Sequence, residues 1–543
     1  MAAFFTRRPA INATALGVLI ALYLLAAANI TFWGKAWEGF VSGMGLAAFG
    51  VATLAVFVGV MVGLSFRFIA KPVYIFAILV AAGASYFTDT FGTIINANMI
   101  ENVLATNSGE TGEFLTASFF VHMLVFGILP SLLVMWVQVI YGPFRSRLLT
   151  NATVLVVMLL VAGGLIFSHL GEVRAAMRRD FNAMMEVLNP AGPVSAAIKV
   201  VVQMVENRHA VREPYGRDAR KGEWIAQAKK PVVTVIVVGE SARAMNFSLN
   251  GYARDTNPEL AKLGVLNFSN VTSCGTETSI SLRCMFSGFQ RTDFSKSKAI
   301  ARESLMDVYK NAGIDVHWWD NDGGAKGVAN GVKYTSYMMR TDPDLCQSGA
   351  CQDDIFLGDL DTLIGAATGP TVVVLHQRGS HGPAYYLRYP DTFRPFQPDC
   401  RLYQMNDCSS EEIVNAYDNT IAYTDRFLAR VIGLLDKHRA TASGAMFFVS
   451  DHGESLGENG VFMHGAPFAS APKEQTHVPL IAWMSREYDA ASGFDRACAA
   501  KLSALPFSHD NVYHTLLGMM DIRTSVYRPE LDIFGKCRVP AVN

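Results

Sequence analysis

Along the first 170 residues the apolar positions run on without period, and the runs are long. Stretches near 11–32, 44–66, 73–90, 117–141 and 151–170 are each long enough to cross about 30 Å of hydrocarbon as a helix. The third has a polar end, with Tyr86, Thr88 and Asp89. One such stretch alone reads equally well as a buried core helix; five in succession predict a membrane domain over residues 1–171. Basic flanks set its orientation. Arg7-Arg8 precede the first stretch, Arg67 and Lys71 lie between the second and third, and Arg145 and Arg147 between the fourth and fifth. These three sites share one side, the cytoplasmic one, which places everything after about 171 on the other side. Arg174, Arg178 and Arg179 run against this orientation. The competing reading of the first stretch is a signal peptide ending near Ala26-Ala27-Ala28, which leaves four spans and the same external placement.

Beyond residue 171 the pattern changes. Met177, Phe181, Met184, Met185, Val187 and Leu188 recur at near-helical spacing with Arg and Asp between them, and Asn189-Pro190 interrupts the run. This is a bridging helix that lies on the membrane surface or on the soluble domain. Residues 207–230 are charged, with Pro214, Gly216 and Gly222, and read as a linker, so that 172–230 joins the membrane domain to a third region, 231–543. There, short β-branched or apolar runs at 231–239, 371–375 and 445–450, with shorter ones at 314–319 and 479–483, alternate with helical patterns such as 413–437. Strands that are apolar throughout are buried on both faces, as in a parallel sheet flanked by helices. The predicted architecture is a five-span helical membrane domain followed by an exported α/β domain.

Composition sharpens this picture. The 543 residues are 51% hydrophobic and 17% charged, with a net charge of −1 and a mean hydropathy of +0.23. No global field favours nucleic acid. All eight cysteines lie after residue 273 and none in the membrane half. Cys274/Cys284, Cys346/Cys351, Cys400/Cys408 and Cys498/Cys537 are the sequence-neighbour pairs, out of on the order of a hundred possible pairings. Disulfides require an oxidising compartment such as the bacterial periplasm. The sequence has no C-x-x-C pair, which speaks against a zinc–thiolate site.

Three of the predicted strands end in polar groups: Gly239-Glu240-Ser241, His376 through Pro383, and Ser450-Asp451-His452-Gly453. In open α/β sheets ligands gather at the carboxyl ends of strands. Glu240, Asp451 and His452 together make a donor set that zinc accepts, with His381 and His464 available for a second metal or a substrate phosphate. Taken singly, each has a plainer reading: Asp-His-Gly as a turn, Glu240 as a helix cap, a lone histidine as a structural residue. The candidate nucleophile lies in Ser273-Cys274-Gly275-Thr276-Glu277-Thr278-Ser279, where a disulfide would pin a threonine and a metal would activate its hydroxyl. The plainer alternative there is a Ser/Thr-rich loop with capping roles.

These residues carry a resemblance. Val238-Gly239-Glu240, Ser273-Cys274-Gly275-Thr276, Cys284-Met285-Phe286-Ser287, Gly379-Ser380-His381-Gly382-Pro383 and the ten residues from Asp451 to Gly460 are similar to the lipid A phosphoethanolamine transferases, the family that includes the mobile colistin-resistance enzymes. The resemblance runs to Cys537 and implies an alkaline-phosphatase/sulfatase-like fold. It implies that Glu240, Thr278, Asp451 and His452 bind a catalytic zinc, with Thr278 the nucleophile. It assigns phosphate or second-zinc roles to His381 and His464, catalytic and substrate-binding alike, and substrate-binding roles to Lys326 and His376. Asn102, Thr106 and Glu110, spaced four apart in the external loop before the fourth span, form one polar stripe on a helix. Spacing alone makes that stripe a solvent face; the resemblance makes it a phosphoethanolamine-binding one. Gly323 stands where relatives carry a hydroxyl, and Glu277 and Arg283 add charges where relatives are small or neutral. The implied activity moves phosphoethanolamine from phosphatidylethanolamine to a phosphate of lipid A through phospho-Thr278, conferring resistance to polymyxin-like peptides. It places a monomer in the bacterial inner membrane. Rival readings are transfer to a core sugar or a glucan, glycerol-phosphate transfer, and a non-catalytic membrane receptor. A sulfatase's Cys/Ser-x-Pro-x-Arg motif is absent.

Overall fold

A computed structural model of the chain describes residues 8–105, 114–207, 212–347 and 350–538. It divides into two compact units. One comprises Met1–Ile100 with Leu115–Val201, and the other Glu101–Phe114 with Val202–Asn543.

In the first unit, Gly43–Gly63, Ala70–Phe91, Ala117–Trp136 and Phe144–Ser168 are helices long and apolar enough to cross a membrane. The first apolar run, expected as one span over 11–32, is instead two helices. Ala13–Ala27 and Ile30–Gly39 meet at an angle of 71° and count as a fifth span only when taken as one broken pair. Two side chains complete the backbone at this break. Asn29 Nδ2 donates to the Leu24 and Asn189 carbonyls at 2.9 Å each, and Asn189 Nδ2 donates to Ala28 O at 3.0 Å. Apolar surroundings tolerate a helix break only when its freed polar groups find partners. Arg145 and Arg147 are not in a loop as expected: they open the helix Phe144–Ser168. Arg147 donates to Ser65 O at 3.1 Å and to Thr14 Oγ1 at 2.8 Å. Gly59 lets this helix pack closely, since a Cβ there would stand 3.2 Å from Met158 Cβ. Two further helices, Leu170–Glu186 and Ala191–Asn207, flank the Asn189-Pro190 interruption.

The second unit is built on one eight-stranded sheet. Its strands are β1 (Val232–Gly239), β2 (Leu266–Thr272), β3 (Asp315–Asp320), β4 (Lys333–Ser336), β5 (Thr371–His376), β6 (Ser443–Ser450), β7 (His477–Met484) and β8 (Phe507–Ser508). They lie in the order β8-β2-β7-β6-β1-β5-β3-β4. From β6 to β4 all pairings are parallel. The all-parallel expectation fails at β7, which runs antiparallel to both β6 and β2. A continuous apolar run reports burial on both faces and carries no information about direction. Strands β2 and β4 gave no apolar run because their side chains alternate or stay exposed. The expected linker is also partly built in: Arg220–Lys221 pairs with Ile522–Arg523, and Trp224 N donates to Asp521 Oδ2 at 3.1 Å. Central strands β1, β5 and β6 are buried at every position. The long helix Ser410–Lys437 starts at a capping box, Ser409 with Glu412, and buries its Ile413, Tyr417, Phe427 and Val431 face. The four neighbour disulfides are all formed, and no cysteine is free.

Candidate active site

The site follows from sheet register. Ser450 of β6 lies opposite Gly239 of β1, His376 of β5 opposite Val238, and Asp320 of β3 opposite His376. Four parallel strands therefore end at one level, and the residues at or just after their ends share one edge. Glu240 and Asp451-His452 emerge side by side there, all fully buried. The backbone turns sharply at Ser241, whose φ is +56°. Ser241 Oγ donates to Glu240 Oε1 at 2.7 Å, and Ser241 N donates to Asp451 Oδ1 at 3.2 Å. The turn after β5 closes over the same point. Gly379 has φ +50°, and a Cβ there would sit 2.7 Å from Glu240 O, so a side chain is excluded on both counts.

The donor atoms converge. His452 Nδ1 lies 2.9 Å from Gly453 O, a carbonyl that can only accept, so Nδ1 carries the proton and Nε2 offers a lone pair. Around that Nε2 stand Asp451 Oδ2 at 3.3 Å, Glu240 Oε1 at 3.4 Å and Thr278 Oγ1 at 3.4 Å. Asp451 Oδ2 is buried and accepts no hydrogen bond. Burial, and then the Asp451 charge, push the Glu240 carboxyl up to about 7. Burial also raises Asp451 and lowers His452 to about 4. Two carboxylates and a neutral imidazole converging on one point are a donor set that could hold a cation. A tetrahedral ion with bonds of about 2.0–2.2 Å separates its ligands by roughly 3.4 Å, which matches the spacings here. Glu240, Asp451 and His452 form one of three such clusters among the described residues.

Thr278 is the first residue of the helix Thr278–Ser287, and Oγ1 donates to Glu240 Oε2 at 2.9 Å. The Cys274–Cys284 disulfide ties the loop before Thr278 to the helix after it. A helix N-terminus favours an anionic group beside the Thr278 hydroxyl. His464 stands behind His452, ring centroids 4.3 Å apart, and 5.6 Å from His381. His464 Nδ1 donates to Glu454 Oε2 at 2.7 Å; burial lowers its pKa, but the Glu454 charge outweighs this and lifts it to about 9. Glu240, His381 and His464 make a second donor cluster.

His376 joins Glu240 and Asp322 in the third. Lys326, with φ +48°, folds back so that Nζ donates to Gly323 O at 2.7 Å. The added charge at Arg283 braces that turn: Nε donates to Lys326 O at 2.9 Å and Nη1 to Ser279 O at 3.1 Å. Thr106 and Glu110 lie outside the described residues, as does the side chain of Asn102, whose backbone belongs to the helix Ala97–Ala105. Sequence reasoning missed Ser241, Glu454, Asp320 and Asp322. Glu454 lay inside the quoted ten-residue motif. Asp320 and Asp322 follow the 314–319 run, and the strand-end rule used for the other three strands would have found them there.

Comparison with known proteins agrees across both units. Residues 52–205 match the family described as phosphoethanolamine transferase EptA/EptB, and residues 233–522 the sulfatase family. The phosphoethanolamine transferase EptA of Escherichia coli K12 is 35% identical over 547 residues, covering 98% of this chain and 98% of its own. The chain belongs to the phosphoethanolamine transferase family. Another relative in that family, the phosphatidylethanolamine transferase Mcr-2 of Escherichia coli, is 36% identical over 95% of this chain and 96% of its own. Among solved structures, the integral membrane lipooligosaccharide phosphoethanolamine transferase A from Neisseria meningitidis superposes with a TM-score of 0.93. It is 33% identical and covers 98% of this chain and all of that one. Membership in the phosphoethanolamine transferase family thus accounts for the membrane helices and the α/β domain together.

Proposed function

We propose that this protein transfers phosphoethanolamine from phosphatidylethanolamine to a phosphate of lipid A by way of a phosphorylated Thr278, as a multi-pass inner-membrane enzyme working on the periplasmic side. The observation that carries this reading is the Thr278 hydroxyl held at 2.9 Å from Glu240 inside a buried donor set of two carboxylates and a neutral imidazole. Glu240, Asp451, His452 and Thr278 would hold zinc, which when bound supplies Lewis acidity to a coordinated hydroxyl and offsets charge on phosphoryl oxygens.

The chain's own residues perform the rest. Thr278 Oγ1 attacks phosphorus and passes its proton to Glu240 Oε2, which already accepts its hydrogen bond. The bond from phosphorus to the diacylglycerol oxygen breaks, and that oxygen takes a proton from His464, kept charged by Glu454. Lys326 and His381 hold the phosphoryl oxygens. In the second half, a hydroxyl on a lipid A phosphate gives its proton back to His464 and attacks phosphorus, and Thr278 leaves with the proton from Glu240. The product carries a masked phosphate and a new ammonium, which weakens attraction of polymyxin-like cations.

Full-length protein reconstituted with head-group-labelled phosphatidylethanolamine and lipid A tests this. Label is expected on lipid A, lost after chelation and restored by added zinc. Transfer that survives complete removal of metal, or label that never reaches lipid A, contradicts it.

A further inference from the structure

A second all-buried cluster shares Glu240 but draws its other members from the strands on the opposite side of β1 from β6. Glu240, Asp322 and His376 bring one ligand atom each within 4.8 Å of one another, and all three are buried. His376 is fully buried, and Nε2 has no hydrogen-bond partner. Its other nitrogen is committed: Nδ1 lies 3.0 Å from Asp320 Oδ2. Asp320 acts as an acceptor throughout, taking Trp318 Nε1 at 3.2 Å, Asp322 N at 3.1 Å and Gly324 N at 3.0 Å. Nδ1 must therefore donate, and Nε2 is the nitrogen left to face the two carboxylates. One carboxylate, Asp320, thus fixes both the ring of His376 and the turn that carries Asp322. A buried carboxylate holding the far side of a histidine ring is the usual support for a metal-binding imidazole, and a buried polar atom without a partner needs an explanation.

We infer that Glu240, Asp322 and His376 form a second site for a zinc-class divalent cation, bridged through the Glu240 carboxylate to the centre at Asp451 and His452. Two carboxylate oxygens and one imidazole nitrogen are a donor set that zinc accepts with a position left open. A carboxylate oxygen has more than one lone pair, so one Glu240 oxygen can meet both ions while Oε2 keeps the hydrogen bond from Thr278. The cation offsets the charge of Asp322 beside Glu240 and sets the start of the turn from Asp322 to Lys326, against the phosphoryl position. The groups already facing Asp322, namely His381, His376, Arg378 and Lys326, supply the competing account: a network of ion pairs with His376 as an imidazolium. The role of the bridge rests on the transferase reading; its occupancy does not.

The test uses the full-length protein in detergent, dialysed against micromolar zinc, with metal content by mass spectrometry and anomalous diffraction at the zinc edge. The expected result is a peak bounded by Glu240, Asp322 and His376, beside a separate peak at Glu240, Asp451 and His452. Asp322→Asn is expected to lose the former peak and one zinc equivalent while keeping the latter, which also shows that the variant is folded; His376→Gln serves should Asp322→Asn not fold. A peak at Asp451 and His452 with none at Asp322 in saturating zinc overturns the inference and leaves the transferase reading standing. A peak at Asp322 with none at Asp451 does the reverse. No peak at either position overturns both.

Discussion

His452 and His464 stand 4.3 Å apart by ring centroid, yet their environments set them in opposite protonation states. Burial lowers His452 to about 4, while Glu454 lifts His464 to about 9 against the same burial. In the proposed reaction, two titratable groups driven apart in this way divide the labour between a lone-pair donor and a proton donor. The difference rests on Glu454, whose Oε2 accepts from His464 and whose Oε1 accepts from the Tyr385 hydroxyl at 2.8 Å. Glu454→Gln keeps the volume and removes the charge. It is expected to lower the transfer rate by roughly ten- to a hundredfold with zinc content unchanged, as read by single-turnover kinetics beside metal analysis; an unchanged rate contradicts the role given to His464. At this scale Glu240, Asp451 and His452 were legible because each follows a strand whose apolar run is unmistakable. The partnership of Asp320, Asp322 and His376 was not, because it depends on which strand lies beside which, and lateral order is absent from a local pattern.

At the scale of elements, Thr278, the proposed nucleophile, sits on a short helix with a disulfide staple. The helix Thr278–Ser287 has no side-chain cap at Glu277, and the Cys274–Cys284 bridge ties the loop before it to its second turn, beside the hydrogen bonds from Thr278 to Glu240 and from Arg283 to Ser279 O. Replacing both cysteines by serine is expected to cost about 2–4 kcal/mol of stability, measured by chemical denaturation, and to slow formation of the Thr278 adduct more than the loss of folded protein accounts for. A variant with parental stability and rate would remove the staple from the account. The cysteine pairs themselves were readable as sequence neighbours. The direction of β7 and the break in the first membrane helix were not. The former looks like any buried strand, and the latter depends on Asn189, 160 positions away from Asn29 in sequence, to satisfy the exposed backbone.

For the whole molecule, both lipid substrates of the proposed reaction reside in a bilayer, and the chain tethers the α/β domain to the membrane helices. Confinement raises effective concentration without any new contact. A fragment starting at residue 212 is expected to form the Thr278 adduct with a short-chain, water-soluble donor. On vesicle-borne phosphatidylethanolamine it is expected to fall behind the full chain by on the order of a hundredfold, in the same labelled-transfer assay. Equal rates on vesicles would leave the membrane unit without a part in catalysis. The two-part plan was plain in the sequence, since long apolar runs and cysteines occupy separate halves. What the sequence left open was where the soluble domain begins: Arg220–Lys221 reads as charged linker and becomes a strand only by pairing with Ile522–Arg523, some 300 residues on.

The central claim is that Thr278 carries the transferred group. The most direct measurement incubates full-length protein with head-group-labelled phosphatidylethanolamine, without acceptor, and maps the adduct by peptide mass spectrometry. Phosphoethanolamine on Thr278, absent in Thr278→Ala and discharged on adding lipid A, is the result this account predicts. A folded, zinc-loaded protein that forms no adduct, or forms it on another residue, contradicts it.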